Sequence, residues 1–248
     1  MILAFLILLS TASTAQAVEI VKSVPFVGQS PMVYDPYKGA IWVIPKYLIE
    51  YRLGVPIYAP TNSVLAISDS DNAVLANVTV GQHPISLAYD SALHEVYVTT
   101  GNNVSVISDV SNSVVATIDS NTNFSRGGFY GIVYDSGKGE MFVSSVNGGV
   151  SVILVISCSI KQVVASIPIT NNPSSLGLTY DSAKGEIYVS YNSFSELNSP
   201  CFISVISDST NSVIATIPLD KGITFLELKP GAYDSATGEI YLPTSNNS

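Results

Sequence analysis

Basic residues are scarce: Lys and Arg total 10 against 19 Asp and Glu, a net charge of −9. A surface this short of cations has no stripe to neutralise phosphates, which argues against a nucleic-acid partner. Histidine is rarer still, with only His83 and His94. One or two imidazoles cannot build a multi-histidine metal centre, and neither a His-x-x-x-His pair nor a Cys/His cluster occurs. Also missing are a Gly-x-Ser-x-Gly elbow, a phosphate loop, a dinucleotide fingerprint and an Asp-x-Asp-x-Asp calcium loop. The many serines carry little meaning without a base to activate one. The expectation is therefore no metal and no cofactor.

Long apolar runs are confined to residues 1–9, which lead through small residues to Ala15-Gln16-Ala17. A stretch this short with that exit reads as a secretory signal peptide over 1–17, although no Lys or Arg precedes it. No second such run follows, so no transmembrane segment is expected beyond it, and the protein is expected to be secreted or at the cell surface. The rest suits one all-β domain. Sequons at Asn77, Asn103, Asn123 and Asn246 fit surface exposure. Cysteine is limited to Cys158 and Cys201, at opposite ends of equivalent runs in neighbouring repeats. Six extended residues span roughly 20 Å, too far for a disulfide, so both are expected to be unpaired.

What the chain does contain is a repeat. Its fullest form is Tyr-Asp-Ser-x-x-Gly-Glu-x-Tyr-Val at 180–189, and variants begin at Tyr34, Tyr89, Tyr134 and Tyr233. The first four copies continue into a Val/Ile run ending near Ser-Asp, then a relative of Asn-Ser-Val-Val-Ala-Thr-Ile. A period of about 45 residues marks one supersecondary unit stacked on copies of itself. In the second unit four runs stand out, over 84–89, 95–99, 104–108 and 114–118, rich in β-branched and aromatic residues. Alternation in Val104-Ser-Val-Ile-Ser implies one apolar and one polar face, blurred by Ile107. Asp-Ser-x-x-Gly-Glu and Asp208-Ser-Thr-Asn-Ser have the chemistry of hairpin turns. Four antiparallel strands per unit, without a helical period, predict an all-β protein: a β-propeller of four-stranded blades.

Several words then resemble the YVTN family of β-propeller repeats, common in exported and surface-layer proteins of archaea and bacteria. They are Tyr97-Val-Thr-Thr, Phe142-Val-Ser-Ser and Tyr188-Val-Ser-Tyr, followed by Val104-Ser-Val-Ile-Ser-Asp and Ser204-Val-Ile-Ser-Asp. The Ala-Thr-Ile tail and Gly81-Gln-His-Pro also fit. No copy ends the family word with Asn, and Trp42-Val-Ile-Pro is the most diverged. The resemblance covers the chain after residue 17 and implies rings of about seven blades. The repeats place whole blades at about 29–80, 81–119, 120–170 and 171–220, and a partial fifth over 221–248. Residues 19–28 resemble an outer strand such as 163–169. The expectation is an incomplete ring, whose open blade face tends towards self-association.

Function is sought where the repeat breaks. The longest break, 46–62, carries Tyr47, Tyr51, Arg52 and Tyr58, a composition suited either to ligand contact or to a flap over the channel mouth. Two shorter breaks hold Arg126 and Glu196, and His83 precedes Pro84 between blades. His94 stands in a hairpin turn where other repeats carry Lys or Thr before Gly, and is read as solvated. The favoured reading is an exported binding or surface-scaffold module for a protein, glycan or envelope component. The alternative is a lactonase- or lyase-like propeller, with His83, Arg126 and Glu196 as its polar reagents at the channel mouth.

Overall fold

In the repeated word, Tyr-Asp closes one strand and Gly-Glu opens the next. The computed structural model describes residues 31–246 apart from 53–54, 60, 102, 120–126, 148–149, 171–172, 194–199, 220–222 and 226–229. The first repeat contains β1 (Met32–Asp35), β2 (Ala40–Val43), an inserted hairpin of β3 (Tyr47–Arg52) and β4 (Val55–Ala59), then β5 (Ser63–Ser68) and β6 (Val74–Thr79). The second holds β7 (Ser86–Asp90), β8 (Glu95–Thr99), β9 (Asn103–Ser108) and β10 (Ser113–Asp119). The third holds β11 (Gly127–Asp135), β12 (Glu140–Asn147), β13 (Val150–Ser157) and β14 (Gln162–Ile169). The fourth holds β15 (Pro173–Asp181), β16 (Glu186–Ser193), β17 (Cys201–Ser207) and β18 (Ser212–Pro218). Each repeat forms one four-stranded antiparallel sheet in chain order, with β3–β4 standing apart as its own ribbon. A fifth repeat supplies short pairs: β19 (Ile223–Phe225) with β22 (Thr244–Asn246), and β20 (Ala232–Asp234) with β21 (Glu239–Tyr241). The protein is thus an all-β propeller of four complete blades and a half-blade, with no helix among the described residues.

The turns follow from the residues that make them. Asp135 Oδ1 accepts from the amides of Gly137 and Lys138 at 2.8 and 3.2 Å, and Asp181 does the same for Ala183 and Lys184 at 3.0 and 3.2 Å. That Asx turn ends on a left-handed residue, Gly139 at φ 67° and Gly185 at φ 66°, where a Cβ is disfavoured. The turn between third and fourth strands ends likewise on Asn72, Asn112 and Asn211, the side chain that best tolerates this region, and on Lys161 in the third blade. The two turns of a blade are tied together. Asp69 N donates to Gly39 O, Cys158 N to Gly139 O and Asp208 N to Gly185 O, all at 3.0–3.1 Å.

Blades pack face to face, and this overturns the expected division into one apolar and one polar face. Val96, Val98 and Ile107 of the second blade lie in a core with Trp42, Val64 and Val78 of the first. Val104, Val106 and Ile118, on the other face of the same sheet, join Phe129, Met141 and Leu154 of the third. Ile153, Val155 and Ile167 in turn meet Leu178, Ile187 and Val189 of the fourth. Ile107 is therefore core for the opposite neighbour, and Ser105 between the valines is itself buried. Each such aliphatic side chain removed from water contributes about 1.5–3 kcal/mol.

Polar latches lock the same seams. Tyr89 Oη donates to Asp109 Oδ2 at 2.9 Å and also meets Asp35 of the preceding blade. The phenols of Tyr134 and Tyr180 approach Asp90 and Asp135 in the same way, and burial followed by that carboxylate pushes both phenols up. Their approach stops short of good hydrogen-bond geometry, since Oδ2 of Asp90 and of Asp135 has no hydrogen-bond partner. Lysines add a second tie: Lys38 Nζ donates to Asp109 O, and Lys138 Nζ to Asp208 O, each reaching the next blade's outer turn. Both cysteines are buried, and no disulfide joins them.

Candidate functional site

Chain connectivity sorts the loops between two ends of the blades. Links from second to third strand and from one blade to the next share one end, and the two kinds of tight turn share the other. Four of the expected contact residues belong to the inserted hairpin, with Tyr47, Tyr51 and Arg52 on β3 and Tyr58 on β4. In its register Tyr47 pairs with Ala59, Tyr51 with Pro56 and Arg52 with Val55, and a shift falls between Leu48 and Glu50. The sequence foresaw an irregular insertion here, whereas the structure has a regular two-stranded ribbon. Apolar and β-favouring residues on both sides of Leu53-Gly54 account for it.

His83 lies at the same end, exposed, with φ 55°. Its loop is fastened to the link between β8 and β9: Gly101 N donates to Gln82 O at 3.2 Å, and Gly81 N to Ser105 Oγ at 3.4 Å. Within that link Thr100 Oγ1 donates to Asn103 Oδ1 at 2.9 Å. The start of β11 presses on the same link, since a Cβ on Gly128 would stand 2.6 Å from Gly101 O. The link between β8 and β9 is thus held between the His83 segment and the start of β11. Arg126 and Glu196 fall outside the described residues.

The tight-turn end holds a cluster the sequence did not disclose. His94 occupies the glycine position of its hairpin, with φ 57°, not the position before it, and its side chain is 35% exposed. Its ring lies 3.8 Å from that of Tyr37, and Nδ1 stands 3.2 Å from Tyr89 Oη and 3.9 Å from Asp109 Oδ2. Asp109 and Asp35 face each other, both fully buried, and Trp42 Nε1 donates to Asp35 Oδ2 at 3.1 Å. Burial raises the Asp109 carboxyl above its ordinary value; Asp35 adds to this, while the Tyr89 hydroxyl and His94 oppose it. The Tyr89 phenol is raised by burial and by the two carboxylates, so it is held as a donor and not as a base. Aligning Leu93-His94-Glu95 with Lys184-Gly185-Glu186 is the signal that could have exposed this substitution.

The same pairing recurs. Asp208 is raised by burial and then by Asp135, and in the intervening seam Cys158 replaces the carboxylate and faces Asp90. Burial pushes the Cys158 thiol up, which makes it a poor nucleophile. Among the described residues no group of three or more His, Cys, Asp or Glu side chains is placed to hold a metal ion.

No protein-family model matches the chain, and no curated protein does. Solved structures do. Kuenenia stuttgartiensis hydrazine synthase is similar with TM-score 0.66 at 14% identity, over 88% of this chain and 55% of that one. The Dos1 propeller follows with TM-score 0.58 at 10% identity, over 86% and 66%. The Cps50 (Swd1) β-propeller domain of Myceliophteria thermophila gives 0.55 at 10%, over 81% and 59%. The chain therefore spans between half and two thirds of the length of these three structures, and the likeness is one of fold.

Proposed function

We propose that the chain is an exported propeller of the YVTN repeat type that binds a protein, glycan or cell-envelope component through its loop end. The observation that carries this reading is the inserted ribbon. In blade two the link from second to third strand runs only from Thr99 to Asn103, whereas in blade one it runs from Val43 to Ser63 and builds β3 and β4. An elaboration that breaks the pattern of a repeating scaffold is where specificity resides. Its Tyr47, Tyr51, Arg52 and Tyr58 are the residue types that dominate recognition surfaces. The acidic chain is suited to neutral or cationic partners and not to phosphate-rich ones.

The test replaces residues 46–60 with the short link 100–102 of blade two and measures binding to a glycan array and to isolated cell-envelope fractions. The full chain should bind in a saturable way, and the shortened chain should melt at a similar temperature without binding. Undiminished binding by the shortened chain would refute the reading. Hydrolysis of a simple lactone that disappears in His83→Ala would favour the lactonase-like alternative in its place.

A further inference from the structure

The outermost strand of every complete blade exposes the same two positions towards the loop end. Asn77 and Thr79 on β6, Thr117 and Asp119 on β10, Ser166 and Pro168 on β14, and Thr216 and Pro218 on β18 all face solvent. The register makes them equivalent: Asn77 pairs with Leu65, Thr117 with Ser105, Ser166 with Leu154 and Thr216 with Ser204. Successive strand residues alternate in direction, so the residue between each pair points the other way. In the first three blades that residue, Val78, Ile118 or Ile167, is buried against the following blade. Exposure of the pair recurs in blades two to four, each of which has a complete blade before it, so it is a property of the outer strand itself.

An outer strand leaves one row of backbone N–H and C=O groups without a sheet partner, an edge that proteins blunt with bulges, charge or proline. The first half of each outer strand carries a register shift, at 74–76, 114–116, 163–165 and 213–215. The second half is regular. There Asp119, Pro168 and Pro218 stand at one and the same position in blades two to four, a charge and two prolines. Blade one has Thr79 at that position, and β6 contains neither a charged residue nor a proline. What β6 has instead is Asn77-Val78-Thr79, an Asn-x-Thr acceptor sequence with its first and third residues at the two exposed positions.

A second acceptor sequence, Asn103-Val104-Ser105, lies on β9, and there the fold closes it. Ser105 is 2% exposed and its Oγ accepts from Gly81 N, while Asn103 Oδ1 accepts from Thr100 Oγ1.

We infer that Asn77 is an N-glycosylation site and that the folded chain withholds Asn103. The donor class is an oligosaccharide joined through diphosphate to a polyprenyl lipid. Asn77 Nδ2 forms a bond to the anomeric carbon, and the bond from that carbon to the diphosphate oxygen breaks with its electron pair. The Nδ2 proton passes to a carboxylate of the transferase, which also reads the Thr79 hydroxyl. The attached sugar stands beside the unguarded half of β6 and keeps a foreign strand from adding there. Occurrence in the cell rests on the exported reading above; a failure of export would leave transfer to the purified chain unchanged.

The experiment incubates the purified, folded full chain with a single-subunit oligosaccharyltransferase of Asn-x-Ser/Thr specificity and its lipid-linked donor. Occupancy is then mapped site by site by peptide mass spectrometry. Occupancy of Asn77 should exceed that of Asn103 by at least about tenfold, because Ser105 must first be released by local opening. Synthetic peptides of residues 74–82 and 100–108 should accept sugar to similar extents, which assigns the difference to the fold. Thr79→Ala should abolish transfer to Asn77 while the melting temperature holds, since this side chain is exposed. Absence of transfer to Asn77 in the folded chain, or equal occupancy of Asn103, overturns the inference. Peptides that differ as much as the two sites of the chain would overturn the role given to the fold.

Discussion

Replacing Asp109 with Asn should stabilise the protein at neutral pH and lose that advantage in acid. Asp109 is 1% exposed and faces Asp35, which is 0% exposed, across the first seam. The lysine that reaches this place, Lys38, donates through Nζ to the Asp109 carbonyl and not to a carboxylate. Asp109 Oδ1 has no hydrogen-bond partner, while Oδ2 accepts from Tyr89 and stands 3.9 Å from His94. Burial and Asp35 therefore lift the folded carboxyl above its unfolded value. A raised acid contributes fully below the unfolded value, and its contribution is lost as pH rises through the folded one. Asparagine keeps an oxygen for Tyr89 and gains an amide that can donate to Asp35, without the charge. A buried acceptor without a partner costs about 1–3 kcal/mol, so giving this position an amide without the charge should gain about 1–2 kcal/mol at neutral pH. For a domain of this size that is a melting-temperature rise of about 2–8 °C. Calorimetric scans at about pH 7.5 and about pH 4 provide the check, with the gap expected to close at the lower value. An equal gap at both values, or a loss at both, would refute the reasoning.

The other predictions concern turns, thiols and the first-seam core. Gly185→Ala places a Cβ 2.6 Å from Asp208 Oδ2 in addition to its φ of 66°, whereas Gly139→Ala has the same φ penalty and nothing within 4 Å. Chemical denaturation should therefore show a loss of about 1–2 kcal/mol for Gly139→Ala and a larger one for Gly185→Ala. Cys158 and Cys201 should be inert towards a thiol reagent in the native protein and titrate as two free thiols after unfolding, because both are buried. Trp42→Phe removes the donor to Asp35 Oδ2 and leaves a void in the first seam. It should cost about 2–4 kcal/mol in urea unfolding.

The blades were legible because the turn residues recur. Asp181, Gly185 and Asn211 state their geometry through side-chain acceptors and left-handed backbone, and such signals survive even when the strands between them drift. The expected runs 95–99 and 104–108 differ from β8 and β9 by at most one residue at either end. What the sequence concealed lay between blades. Whether Ile107 is exposed or buried depends on a neighbour far away in the chain, and alternation within one strand carries no word of it. The same holds for Asp35 and Asp109, which read as separate turn residues until the blades are stacked. At the loop end, the presence of an insertion in blade one was visible, but its pairing as a ribbon was not. Arg126 and Glu196, outside the described residues, remain part of the sequence expectation alone.

The latches that fasten one blade to the next join residues only some seventy positions apart, 71 for Lys38 to Asp109 and 70 for Lys138 to Asp208. A molecule fastened in this way has a mechanical grain. Pulled from one end, it should yield blade by blade, each rupture releasing about 150 Å of chain. The force trace should be a sawtooth with one tooth for each blade.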